Sequence, residues 1–173
     1  MNILQKRILI PTLISSFRIA VIPFFIYFYN KENLILCLIL FSFAASTDLL
    51  DGFVARKLKV TSTIGAYYDA LTDFVFIIGI YTFFFTKSFY PIWLLIFITA
   101  SFAQFLATSR YVKKLYDPIG RYVGSALYIG IVLTLLFPTQ AIFYFVQYAY
   151  VVFFLVSLAS RSVSLTKNRR KKI

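Results

Sequence analysis

Residues 34–57 read LILCLILFSFAASTDLLDGFVARK, an apolar run that is long enough to cross a bilayer and that carries two aspartates and an arginine near its end. About 20 apolar residues span the hydrocarbon core as an α-helix, because a backbone without water must satisfy its own hydrogen bonds. The chain has only six acidic residues, and four of them lie between positions 48 and 73. The run therefore predicts a membrane helix whose carboxylates serve a function.

Five further apolar runs of similar length occupy the rest of the chain, which is 61% hydrophobic. Ordinary globular domains are closer to about half apolar. We therefore predict an all-α integral membrane protein with six transmembrane helices. The predicted spans cover residues 9–29, 34–57, 62–85, 90–111, 119–137 and 141–163.

The 173 residues are predicted to form a single membrane domain, since no repeat or linker divides them. Residues 1–10 suggest a short juxtamembrane helix lying in the interface, and residues 164–173 form a basic tail. Lys6 and Arg7 precede the first apolar run as they would in a signal peptide, but five more runs follow it. We expect this first segment to stay in the membrane.

Of the 18 Lys and Arg residues, 15 lie on one set of chain ends and loops, while the opposite loops carry only Lys31 and Lys87. Basic residues concentrate on the cytoplasmic side of membrane proteins. This pattern predicts a multi-pass protein of the cell membrane with both termini, and the aspartate-rich stretch, facing the cytoplasm. The net charge of +12 indicates contact with anionic membrane lipids rather than nucleic acid, because the cations flank the spans.

Helical spacing places the four carboxylates on two stripes. At about 100° per residue, one stripe comprises Asp48, Asp51, Gly52 and Ala55, with Arg56 at its edge, and the other comprises Gly65, Asp69 and Asp73. A short loop joins the two helices, so they are expected to be antiparallel neighbours whose stripes face each other. The four carboxylates would then converge near the cytoplasmic membrane surface.

Four carboxylates in a partly desolvated site repel one another unless cations are present. Oxygen ligands suit hard divalent ions, and the chain has no histidine to favour zinc. The pattern therefore predicts a pair of Mg²⁺ or Mn²⁺ ions held by the aspartates. The alternative is that these aspartates only pair with Arg56 or cap helices, but ionisable residues inside membrane segments usually mark a functional site.

This stretch resembles, residue for residue, the signature of the CDP-alcohol phosphatidyltransferase family. The matching positions are Asp48-x2-Asp51-Gly52-x2-Ala55-Arg56-x8-Gly65-x3-Asp69-x3-Asp73. The segment from Pro11 to Arg18 is similar to that family's Pro-Asn-x-x-Thr-x-x-Arg entry, with Thr12 in place of Asn and Ser15 in place of Thr. The resemblance covers nearly the whole chain.

The resemblance implies an enzyme of phospholipid biosynthesis that transfers a phosphatidyl group from a CDP-linked lipid, such as CDP-diacylglycerol, to a small alcohol and releases CMP. It implies that Asp73 is the general base and that the four aspartates hold two metal ions. Homodimers are typical of the family. The implied contacts to the nucleotide and CDP-lipid are Gly52, Ala55, Arg56, Ser62, Thr12 and Ser15.

The acceptor alcohol is less well defined by the sequence. Arg110, Lys113, Lys114 and Arg121 lie at the predicted cytoplasmic edge, where they could bind a phosphorylated acceptor or simply follow the positive-inside pattern. Gly120-Arg121 resembles the Gly-Lys pair of the family's phosphatidylglycerophosphate synthases, which favours glycerol 3-phosphate. Phe74, however, follows Asp73 where those synthases usually have Lys and inositol-phosphate enzymes Arg. Inositol phosphate and serine therefore stay open as acceptors.

A small cation transporter is the alternative from another functional class. Transport sites usually lie near the bilayer midplane, on interrupted helices that belong to repeated halves. The aspartates here occupy one predicted membrane edge in one half of the chain, without a repeat. This arrangement favours the enzyme.

Overall fold

A computed structural model describes the backbone of residues 3–57, 63–112 and 120–170, and the side chains of residues 16–47, 65, 67–109 and 122–160. The described residues form six α-helices, which confirms the all-α prediction. The helices are α1 (Ile3–Asn30), α2 (Leu34–Lys57), α3 (Thr63–Thr86), α4 (Ile92–Val112), α5 (Gly120–Leu136) and α6 (Gln140–Arg170).

The helices correspond one to one to the six predicted segments, and they differ from them mainly at the two chain ends. The predicted juxtamembrane segment is helical from Ile3 and continues into α1 without a break. At the other end, α6 extends through the basic tail as far as Arg170. No glycine or proline interrupts residues 140–170, so nothing in the local sequence ends the helix where the apolar stretch ends.

Three of the described helical segments are long and apolar enough to cross a membrane: Tyr67–Thr86, Ile92–Ser109 and Gln140–Ser160. Two shorter apolar segments, Leu34–Thr47 and Tyr122–Leu136, accompany them. The protein is therefore an all-α membrane protein, and the cytoplasmic location of its termini stays a prediction.

Two inter-helix turns contain a residue with left-handed backbone, Glu32 at φ 58° and Ser88 at φ 61°. After α3, the Ser88 amide donates to the Phe85 carbonyl at 2.9 Å and the Phe89 amide donates to the Phe84 carbonyl at 3.0 Å. This pair of bonds is the Schellman motif, which satisfies the last carbonyls of a helix. The rings of Phe84 and Phe89 also meet, with centroids 5.9 Å apart, so the turn is held by an apolar contact as well.

The contacts divide the chain into two units, Met1–Phe83 and Phe84–Ile173, and the prediction of a single domain over residues 1–173 stays a prediction. In the first unit α1 packs along α2. Phe41 of α2 stacks on Phe76 of α3 with ring centroids 5.9 Å apart, and Phe25 of α1 meets Phe83 of α3 edge to face at 6.4 Å. α3 therefore contacts both α1 and α2 through its side chains.

Gly79 marks a close approach of α3 to α1, because a Cβ atom there would lie 2.9 Å from Ile22 Cδ1. Gly124 on α5 is the matched control, since a Cβ there would have no atom within 4 Å. We expect Gly124→Ala to raise the free energy of unfolding by about 0.5–1 kcal/mol through helix propensity. Gly79→Ala is expected to raise it less than Gly124→Ala does, because the Ile22 Cδ1 methyl group must first rotate away from the new Cβ.

Thermal unfolding of the two variants in detergent micelles measures this difference. Adding Ile22→Val to Gly79→Ala removes the Cδ1 methyl group and is expected to relieve this contact. If Gly79→Ala is as stabilising as Gly124→Ala, the contact between α1 and α3 at this level is looser than the structure shows.

In the second unit α6 packs against α5 and α4. Tyr90, in the turn before α4, makes a 2.5 Å hydrogen bond with the Thr134 hydroxyl of α5. Thr134 donates in turn to the Gly130 carbonyl at 2.7 Å, so Tyr90 is the donor in the first bond. Burial raises the pKa of the Tyr90 phenol to about 12 from 10.0.

This raised pKa predicts a loss of stability in alkali. Below pH 10 both folded and unfolded chains keep the proton of Tyr90, so its contribution is fully present. Between pH 10 and about 12 only the unfolded chain loses that proton, and stability falls by at most about 1.4 kcal/mol per pH unit. Tyr90→Phe is expected to make the melting temperature fall less steeply above pH 10 than in the wild type. Tyr27→Phe, which removes an exposed phenol, is the control, and equal slopes for Tyr90→Phe and wild type would contradict the prediction.

Candidate functional site

The candidate site is built around Arg18, a fully buried arginine of α1 whose side chain is 0% exposed. Its Nη2 lies 3.5 Å from Asp69 Oδ1, and its Nη1 contacts Asp73 Oδ1. A buried guanidinium is strongly unfavourable unless it is paired and hydrogen-bonded. Both carboxylates belong to α3, so Arg18 ties α1 to the face of α3 that was predicted to be functional.

Asp69 and Asp73 lie one helical turn apart, and so their carboxylates project from the same side of α3. Their side chains are 34% and 28% exposed, respectively. Each carboxylate therefore meets Arg18 on its buried side and keeps an open side for a ligand. The two carboxylates thus share one face of α3, as their spacing predicts, while their role as metal ligands stays a prediction.

Two hydroxyl contacts hold the surroundings of this pair in place. Arg18 Nε donates to Thr47 Oγ1 of α2 at 3.3 Å, and Thr47 itself donates to the Ala44 carbonyl at 2.6 Å. Ser16 of α1 and Tyr68 of α3 share a hydrogen bond of 2.6 Å between their hydroxyl oxygens. All three helices thus fix the orientation of the arginine and of the α3 turn that carries the aspartates.

The charges of this cluster favour a cation. Arg18 offsets one of the two carboxylates, so Arg18, Asp69 and Asp73 together carry a formal charge of −1, taking the carboxylates as ionised. Asp48 and Asp51 follow Thr47 on α2 by one and four residues, and they would add two more negative charges if their side chains join the cluster. Hard divalent ions prefer carboxylate oxygens, so the donor set fits the predicted Mg²⁺ or Mn²⁺ ions.

Among the residues whose side chains the structure describes, no group of three or more His, Cys, Asp or Glu residues comes together. The other predicted ligands, Asp48 and Asp51, lie on α2 but outside the described side chains. The same holds for the predicted nucleotide and acceptor residues on helices, which are Thr12, Ser15, Gly52, Ala55, Arg56, Arg110 and Arg121. Ser62, Lys113 and Lys114 lie outside the described backbone as well.

Arg18 is the site residue that sequence reasoning did not assign a role. A signal for it was present, because Arg18 is a charged residue within the first predicted span, where charge is rare and usually functional. The family resemblance includes the segment from Pro11 to Arg18, but it implies contacts only for Thr12 and Ser15. The pairing with α3 could not be read from the sequence, because helical periodicity does not show which faces of separate helices meet.

Comparison with known proteins finds similarity to one family of enzymes and to relatives that share one name. Residues 8–160 match the profile of a family described as CDP-alcohol phosphatidyltransferase. A protein of Aquifex aeolicus named CDP-diacylglycerol–glycerol-3-phosphate 3-phosphatidyltransferase is 30% identical over 130 residues, which is 73% of each chain. Proteins of the same name are 44% identical in Pectobacterium atrosepticum and 41% identical in Yersinia pestis, in each case over 71 residues. These last two alignments span 39% of this chain and 39% of the relative. No solved structure matches the chain significantly.

Proposed function

We propose, given that this chain belongs to the CDP-alcohol phosphatidyltransferase family, that it transfers the phosphatidyl group of CDP-diacylglycerol to glycerol 3-phosphate and releases CMP. The observation that carries the proposal is the pair of half-open carboxylates, Asp69 and Asp73, held against one buried arginine. Such a pair is suited to a reaction on a diphosphate, where cations and a proton acceptor are both needed.

In the proposed reaction, the acceptor hydroxyl oxygen attacks the phosphorus that carries the diacylglycerol. The new P–O bond forms as the bond between that phosphorus and the oxygen leading to CMP breaks. Asp73 takes the proton from the attacking hydroxyl, and CMP leaves with the electron pair of the broken bond. A carboxylate with an open side, fixed on its other side, is suited to this role because a general base must be held within hydrogen-bond reach of the proton.

Arg18 positions the two aspartates of α3 in this proposal. Its guanidinium reaches both carboxylates and the Thr47 hydroxyl, so it limits the rotamers of Asp69 and Asp73. It also offsets part of their mutual repulsion before any ligand arrives. Arg18 itself is fully buried, and it acts through the carboxylates rather than on the substrate.

Divalent metal ions are used throughout this family, and we propose that Asp48, Asp51, Asp69 and Asp73 hold two of them, Mg²⁺ or Mn²⁺. When bound, such ions neutralise the diphosphate and the charge that develops on the leaving CMP. Gly52, Ala55, Arg56, Ser62, Thr12 and Ser15 are proposed to contact the CDP-lipid. Small residues beside the carboxylates leave room for the nucleotide, and Arg56 provides paired donors for a phosphate.

Glycerol 3-phosphate is proposed as the acceptor because all three of the relatives described above carry it in their names. A phosphorylated acceptor also suits the basic residues Arg110, Lys113, Lys114 and Arg121, which would bind its phosphate. We further propose a homodimer in the cell membrane, with the site facing the cytoplasm, where the soluble acceptor is supplied.

An acceptor panel tests the proposed reaction. Purified protein in micelles is given CDP-diacylglycerol and either glycerol 3-phosphate, inositol phosphate or serine, and the lipid product and CMP are quantified. We expect CMP release with glycerol 3-phosphate to exceed release with serine by at least about a hundredfold, because a basic site that binds a phosphate discriminates strongly against an acceptor without one. The margin over inositol phosphate is expected to be smaller, because that acceptor carries the same phosphate and differs in the size of its alcohol. A faster reaction with inositol phosphate or serine would overturn the acceptor assignment while retaining the chemistry.

A further inference from the structure

A second candidate site lies in the unit formed by residues 84–173, where a cavity of about 550 Å³ opens beside the turn between α3 and α4. Its walls are largely aromatic and include Trp93, Tyr144 and Tyr148. Polar groups come from Ser88, Gln140 and Gln147, of which Gln140 is exposed at the start of α6. Cavities of this size and mixed lining are typical of sites for small molecules, and none of the proposed catalytic residues contributes to it.

Gln147 is the unusual member of this lining. It lies on α6 with only 7% of its surface exposed, and within the described part of the chain its side-chain amide forms no hydrogen bond. An amide that lines a cavity and lacks a protein partner is available to a ligand that brings its own polar group.

The position of the cavity along the helices indicates the depth of that ligand in the bilayer. Its lining comes from residues 85–93 and 140–148. One candidate span ends at Thr86, the next begins at Ile92 and the third begins at Gln140. The cavity therefore lies at the level where spans meet the membrane interface, and aromatic side chains are typical of that level.

The lining also limits the chemistry of the ligand. No Lys, Arg, Asp or Glu is among the described residues that line the cavity, so a headgroup charge would find no partner there. The amide of Gln147 and the hydroxyl of Ser88 can donate hydrogen bonds to an uncharged acceptor. At the interface of a bilayer, the uncharged acceptors of a phospholipid are the ester carbonyls of its glycerol backbone.

We propose that this cavity binds the glycerol-ester region of a membrane phospholipid, with the Gln147 amide donating to an ester carbonyl. The aromatic walls pack against the first methylenes of the acyl chains, and the headgroup extends into solvent. Binding is therefore selective for ester linkage and indifferent to headgroup charge. This site is separate from the proposed reaction, and its test does not depend on catalysis.

Trp93 makes the test specific, because it lines the cavity and is the single tryptophan of the chain. Delipidated full-length protein in micelles is titrated with diester phosphatidylcholine, and the change in Trp93 emission gives the dissociation constant. The same titration with the diether analogue, which lacks both carbonyls, is expected to give binding that is roughly fivefold weaker, as for the loss of one hydrogen bond. Diester phosphatidylglycerol is expected to bind within about twofold of diester phosphatidylcholine, since no charge lines the cavity.

Gln147→Leu provides the second arm of the experiment. It is expected to bind the diester lipid roughly fivefold more weakly than the wild type and to lose the preference for diester over diether. Gln104→Leu makes the same chemical change on α4, outside the cavity lining, and is expected to bind like the wild type. Equal affinities of the wild-type protein for diester and diether lipids would overturn the proposal without reference to any variant. Absence of an emission change with either diester lipid, or wild-type affinity in Gln147→Leu, would overturn it as well.

Discussion

Replacing Asp73 by asparagine is expected to lower CMP release from CDP-diacylglycerol by about a thousandfold, which is typical for loss of a general base. Asparagine has nearly the size of aspartate, but its amide cannot take the proton of the attacking hydroxyl. The fold should survive, because Arg18 keeps Asp69 as a partner at 3.5 Å. Initial rates of CMP release from purified wild-type and variant protein, at saturating acceptor, measure the effect.

Glu32→Gln is the matched control for this substitution. It also replaces an acid by its amide, but at an exposed position in the turn between α1 and α2, and its rate is expected to equal that of the wild type. A melting temperature for Asp73→Asn within a few degrees of the wild type shows that the folded state is being assayed. A rate within tenfold of the wild type in folded Asp73→Asn would remove Asp73 from the role of general base.

Replacing Arg18 by methionine is expected to lower the rate of CMP release by about 10–100-fold, the usual effect of losing a residue that orients metal-binding or catalytic groups. It should also lower the free energy of unfolding by about 2–3 kcal/mol, somewhat less than for a fully buried pair because both carboxylates are partly exposed. Asp69 and Asp73 would lose the group that fixes their rotamers and offsets their charge.

Two measurements distinguish this positioning role from simple loss of stability. Added Mg²⁺ is expected to raise the melting temperature of Arg18→Met more than that of the wild type, because bound cations replace part of the missing positive charge. Arg18→Lys keeps the charge but loses the planar fork that reaches two carboxylates and a hydroxyl, so its stability should recover more than its rate. Lys31→Met removes an exposed cation and serves as the control. A wild-type rate in Arg18→Met would contradict the role assigned to Arg18.

The helices of this protein could be predicted closely from the sequence, because apolar runs of bilayer length allow little besides helix. The predicted and observed bounds of α2 are identical, at Leu34–Lys57. The ends of α1 and α6 differ from prediction because the predicted spans stopped where hydrophobicity falls. α6 continues past that point because no glycine, proline or competing turn ends it, whereas α1 begins before its predicted span although Pro11 lies within the helix.

The candidate site was predictable to the extent that it depends on one helix. The spacing of Asp69 and Asp73 is sufficient to place both on one face of α3, as observed. The contact of Arg18 with that face depends instead on how α1 packs against α3, including the close approach at Gly79 and Ile22. Such packing is decided by side-chain fit between distant segments, which periodicity within each segment does not encode. The convergence of Asp48 and Asp51 with the α3 pair stays a prediction.

The most direct test of the proposed function measures CMP release and cation flux on the same proteoliposomes, with CDP-diacylglycerol and glycerol 3-phosphate present. We expect CMP release that stops when divalent ions are chelated, returns when Mg²⁺ or Mn²⁺ is restored, and is about a thousandfold lower in Asp73→Asn, with no cation flux above that of empty vesicles. Cation flux that depends on Asp69 and Asp73, without CMP release for any acceptor tested, would contradict the enzyme and favour a transporter.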